Sequence, residues 1–141
     1  MKLFIIFLNL FTYSTSTHAS SLIGDYNLTK GPKNCPEGFI SLKNNRLMFG
    51  TRHVWILGDG AKGESKDVVD GGCTYLTNYE KSDTKIAINT TRFACPIKTE
   101  NASINEELEL KNNSLIYSFK SIGEDKSKSL FQCEYKKSVN K

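Results

Sequence analysis

Leu108 and Leu110 stand two residues apart, as do Leu115, Tyr117 and Phe119, and Lys111-Asn-Asn-Ser114 lies between the two sets. Period-two alternation puts each set on one face of a strand, and asparagine tolerates the left-handed backbone that a tight hairpin turn needs. The same pattern recurs along the chain, where short β-branched and aromatic segments alternate with Gly, Asn, Asp and Lys. Strands are predicted near 23–29, 39–43, 46–49, 53–57, 73–79, 85–95, 107–111, 115–121 and 129–136. A second hairpin fits Leu42-Lys-Asn44-Asn45-Arg-Leu47. The expected fold is all-β, a small antiparallel up-and-down β-barrel of about eight strands. Helix signals are sparse. Ser103-Ile-Asn-Glu106 matches a capping box, but the Leu108/Leu110 alternation that follows has period two, so a strand is expected there too. Gly58 to Gly72 holds five glycines and mixed charge, which predicts a surface loop with Val68 and Val69 pinned inward.

The first 19 residues have a different character. After Lys2, the run Leu3 to Phe11 is apolar except for Asn9, and Thr17-His18-Ala19 has a small-x-small cleavage pattern. This is the layout of a secretory signal peptide rather than a membrane span. Residues 20–141 are then expected to form a single domain, secreted to the extracellular space or, in a bacterium, to the periplasm. All four cysteines lie beyond the leader, where an oxidising compartment favours two disulfides. Three connectivities are open. Cys35–Cys133 with Cys73–Cys95 is preferred, because it ties the chain ends together and staples two neighbouring strands. The net charge of the full chain is +4, and beyond residue 19 the lysines are scattered from Lys30 to Lys141; a nucleic-acid surface would cluster them. The expected molecule is a monomer with no cofactor. Asn27, Asn89, Asn101 and Asn112 each begin an Asn-x-Ser/Thr sequon, which matters only where a glycosylation machinery exists.

Candidate chemistry is limited. No two cysteines are closer than 22 residues, and His53 is the one histidine beyond the leader, which argues against a zinc site. Gly58-Asp-Gly-Ala-Lys-Gly63-Glu-Ser65 approaches a P-loop, but Glu64 stands where the phosphate-reaching lysine belongs. Asp59, Glu64, Asp67 and Asp70 offer oxygens to calcium, yet Ala61 and Gly63 interrupt the spacing that such a loop requires. In Arg52-His-Val-Trp-Ile-Leu57, alternation places His53 and Trp55 on one face. Trp55 is then a core or cavity residue and His53 its polar neighbour; a general base would need a nucleophile and an orienting acid beside it. Glu106, Glu107 and Glu109 read as a solvated strand face and turn. The chain is not expected to be an enzyme.

Gly24-Asp25-Tyr26 is similar to the Gly-x-Trp first-strand motif of the lipocalin-like, or calycin, barrels, with tyrosine in place of tryptophan. Thr77-Asn78-Tyr79 resembles their Thr-Asp-Tyr motif at an earlier point in the chain. The hairpin at 107–121 and Cys133 on the last strand fit the same layout, and Lys136 or Lys137 stands for the family's closing arginine. The resemblance covers most of the chain in layout and three or four residues in motif. It implies a barrel carrying a small apolar ligand in its mouth, lined by Tyr26, Trp55 and Tyr117. The plan is also similar to small secreted bacterial barrels that inhibit lysozymes or proteases. That implies the alternative function, a module engaging a protein partner such as a hydrolase through loops, above all 58–72. The alternative fold is an immunoglobulin-like β-sandwich, since Cys35, Trp55 and Cys95 follow the Cys…Trp…Cys order, although Phe93-Ala-Cys95 lacks the tyrosine corner.

Overall fold

A computed structural model describes residues 21–43, 46–51, 53–58, 60–69 and 71–138, except the side chain of Thr99. Residues 1–20, where the leader is expected, and Asn44 and Asn45, where the second hairpin's turn is expected, lie outside the described residues, as do Arg52, Asp59, Asp70 and 139–141. Ten antiparallel strands and one short 3-10 turn at Lys98–Glu100 account for the regular structure of the described residues. The strands are β1 (Gly24–Lys30), β2 (Phe39–Lys43), β3 (Arg46–Phe49), β4 (His53–Ile56), β5 (Lys62–Val68), β6 (Thr74–Lys81), β7 (Lys85–Phe93), β8 (Ala102–Lys111), β9 (Ser114–Gly123) and β10 (Lys128–Lys137). They form one sheet in the order β4-β3-β2-β1-β10-β9-β8-β7-β6-β5, curled into a nearly closed barrel rather than split into a sandwich. Among the described residues, no helix is long and apolar enough to cross a membrane.

Every pair of consecutive strands is hydrogen-bonded except β4 and β5, which form the two ends of the sheet. The first and last strands are paired in its middle. β1 makes that junction by dividing its length: Gly24 and Asp25 pair with β2, and Tyr26 to Lys30 pair with β10. The barrel's open seam therefore lies between two strands that are neighbours in sequence.

Two expectations need correction. The segment 58–72 is not one long loop, because Lys62–Val68 pairs residue for residue with Thr74–Glu80 as β5. A glycine suits position 63 of this strand: a Cβ there would come within 2.6 Å of the Tyr79 ring carbon Cζ. Val68 and Val69 are exposed rather than pinned inward. In addition, β8 begins at Ala102, five residues before the expected start, so the capping-box segment is strand. Hairpin chemistry holds at β8–β9, where Lys111 pairs with Ser114 and both Asn112 (φ 51°) and Asn113 (φ 63°) are left-handed.

Cys35–Cys133 fastens the loop after β1 to β10, and Cys73–Cys95 joins the residue before β6 to the segment just after β7. Both pairs are compatible with an oxidising environment. Inside, inward side chains fall into cross-strand rows. Leu110, Leu115 and Tyr135 make one; Ile86, Leu108, Tyr117 and Cys133 make the next. Phe49 packs edge-on against Tyr117 and Tyr135, at centroid distances of 5.0 and 5.6 Å. This end of the interior is filled.

Candidate functional site

The third row is Tyr79, Ile88, Glu106, Phe119 and Phe131, and the fourth is Thr77, Thr90 and Ile104. Between these rows the interior changes from apolar core to a cavity of about 620 Å3. The cavity lies along the open seam, walled by His53 and Trp55 of β4, Ser65 and Asp67 of β5, Tyr75 and Thr77 of β6, and Thr90, Ile104, Glu106 and Phe119. Its size is that of a small-molecule site.

Glu106 is its chemical centre. The side chain is 8% exposed and accepts three hydrogen bonds. Trp55 Nε1 donates to Oε2 at 3.0 Å. Tyr117 OH donates to Oε1 at 2.7 Å, and His53 Nδ1 lies 3.1 Å from the same oxygen. A buried carboxylate is tolerable only when donors replace its lost water. Burial, reinforced by the Glu106 charge, raises the Tyr117 pKa far above its ordinary value, so this hydroxyl stays protonated and remains a donor. Among the described residues, no lysine or arginine pairs with Glu106. Thr77 Oγ1 and Thr90 Oγ1 bond each other at 3.1 Å, giving the opposite wall a polar patch.

Alternation along β4 brings His53 and Trp55 inward, while Val54 and Ile56 stay about half exposed. His53 also borders a second cavity of about 350 Å3, formed with the loop residues Lys33 to Glu37 and Thr51. It therefore stands as a partition between two spaces. The structure gives His53 a carboxylate partner, Glu106, from 53 residues away in sequence.

The three sequence-derived lining residues fall in different places. Trp55 lines the cavity. Tyr117 is fully buried one row deeper and reaches the site through its hydroxyl on Glu106. Tyr26 belongs to the core: its hydroxyl donates to the Leu22 carbonyl at 2.9 Å, burial raises its pKa, and it does not border the cavity. Glu106 is the residue missed. Glu107 and Glu109 do occupy the outer face, with Lys85 paired to Glu107 at 2.9 Å, but Glu106 turns inward. The signal was present in Ile104-x-Glu106-x-Leu108-x-Leu110, where Glu106 is in phase with three inward apolar residues. Asp67 reaches the rim through strand β5, whereas Glu64 has the opposite phase. Comparison with family profiles, curated proteins and solved structures finds no match, so the function must be argued from the barrel's own geometry.

Proposed function

We propose that this protein is a secreted, non-catalytic binding protein that holds a small ligand with an apolar body in the cavity along the β4–β5 seam. The observation that carries this reading is the change in the interior from a filled aromatic core below Glu106 to an open space above it. Trp55 and Phe119 offer flat apolar walls, while Ser65, Thr77, Thr90 and Glu106 offer the few polar groups that fix orientation in such sites. The leader-like first 19 residues and the two disulfides support export to an oxidising compartment. The protein-partner alternative is weakened, because seven residues in the middle of its recognition segment, Lys62–Val68, are held in strand β5 rather than in a free loop.

Native mass spectrometry of the protein from a secreting host tests this reading. The expected spectrum shows an added mass of small-molecule size that organic extraction removes. A Ser65→Phe variant, which fills the cavity from an edge strand, should be bare. Bare masses for both proteins would overturn the proposal.

A further inference from the structure

We propose that the ligand is an organic cation, a protonated amine on an aromatic body, and that Glu106 is its counter-ion. This inference rests on the cavity being a ligand site and adds the charge of what it takes. The titratable groups on the inward phase of the cavity wall are His53, Asp67, Tyr75 and Glu106, with Asp67 exposed at the rim. Arg46 and Lys66 border the same space from the outward phase of β3 and β5, where both are exposed. The buried part of the wall therefore presents one carboxylate, Glu106, with His53 beside it, and the charges at the rim are of both signs.

Glu106 is more than nine-tenths buried, and two of its donors, the Trp55 indole and the Tyr117 hydroxyl, carry no charge. A carboxylate offers about four acceptor positions. Oε1 receives Tyr117 and His53, and Oε2 receives Trp55 alone, which leaves one position on the atom nearest the Trp55 wall. An ammonium N–H placed there makes a charge-assisted bond and neutralises a buried charge, both of which a neutral ligand forgoes. The aromatic walls Trp55, Tyr75 and Phe119 favour the same ligand, because ring faces attract cations. Asp67, paired in register with Tyr75 at the rim, adds a second negative charge on the way in.

The test uses three probes of nearly equal size: phenethylamine, 2-phenylethanol and 3-phenylpropionate. Trp55 is the single tryptophan of the chain, so its emission reports on the cavity wall without interference from these ligands. Phenethylamine is expected to bind at least about tenfold more tightly than the alcohol, with the carboxylate weakest. Glu106→Gln should remove most of that preference while the alcohol still binds. Equal binding of amine and alcohol to the wild type would overturn the cation proposal but leave the cavity reading intact; His53 would then already be neutralising Glu106. Binding of none of the three would overturn both. An amine preference that survives in Glu106→Gln would show that another group supplies the charge. The wild-type comparison is decisive even if that variant fails to fold.

Discussion

Trp55 and Glu106 lie 51 residues apart and meet inside the barrel, the indole Nε1 donating to Oε2 at 3.0 Å. Trp55 belongs to β4, the strand at one end of the sheet, and Glu106 belongs to β8, six places away in strand order. β4 has no ladder on its seam side, and its two inward residues, His53 and Trp55, both bind this one carboxylate. Glu106 thus tethers from within an edge that the sheet leaves unpaired, and it sets the position of the cavity wall. Binding-site geometry and closure of the barrel depend on the same group.

Removal of a donor from Glu106 should be costly. Tyr117→Phe keeps the ring and leaves Glu106 buried with one bond fewer, so a loss of about 1.5–3 kcal/mol is expected for a hydrogen bond to a charged group. Urea unfolding measures it. Hydrogen exchange should also quicken in β4 more than in β2 or β3, because β4 lacks a second ladder. A loss below about 0.5 kcal/mol would show that the Tyr117 bond to Glu106 is unimportant for stability.

Alkaline pH should unfold the barrel through its buried phenols. Burial raises the pKa values of Tyr117 and Tyr135 well above the ordinary 10.0. Each keeps its proton in the folded state and loses it in the unfolded chain. Stability is therefore intact below about pH 10 and falls above it, by about 1.4 kcal/mol per pH unit for each tyrosine. In a pH titration of phenolate absorbance, these two residues should ionise together with the loss of β-sheet circular dichroism, not before it.

Gly63 leaves room for Tyr79 at the base of the seam. Its Cβ would sit 2.6 Å from the ring carbon Cζ, so Gly63→Ala must displace a buried ring at an overpacking cost of about 1–3 kcal/mol. The β5–β6 hairpin should loosen first. Gly63 is not among the glycines with positive φ, so a loss there reports the Tyr79 clash, and chemical denaturation of the variant measures it. An unchanged denaturation midpoint would contradict the clash.

The two disulfides should differ in worth. Cys35–Cys133 closes a separation of 98 residues and Cys73–Cys95 one of 22. In the chain-entropy treatment these contribute about 4.7 and 3.4 kcal/mol, so replacing the first pair with alanines should cost about 1.3 kcal/mol more. Denaturant midpoints of the two double variants give the comparison.

Much of this architecture was legible in the sequence, and the parts that were not share a physical reason. The β8–β9 hairpin could be read because Leu108, Leu110, Leu115 and Tyr117 alternate cleanly and Asn112-Asn113 supplies the turn. The disulfide pairing followed from stapling neighbouring strands. β5 was hidden because an edge strand beside a cavity has little apolar surface to bury: its inward positions are Gly63, Ser65 and Asp67, which read as a loop. Glu106 was hidden because a charged residue in a strand usually faces water, and its three donors arrive from β4 and β9, at separations no local pattern encodes.

The most direct test of the central claim is energy transfer from Trp55 to 1-aminoanthracene, an uncharged aromatic dye. A ligand cavity walled by Trp55 predicts saturable quenching of Trp55 emission at one dye per chain, matched by rising dye fluorescence and abolished by Ser65→Phe in a folded protein. No transfer to the wild type, or equal transfer to Ser65→Phe, would contradict a binding site along the β4–β5 seam.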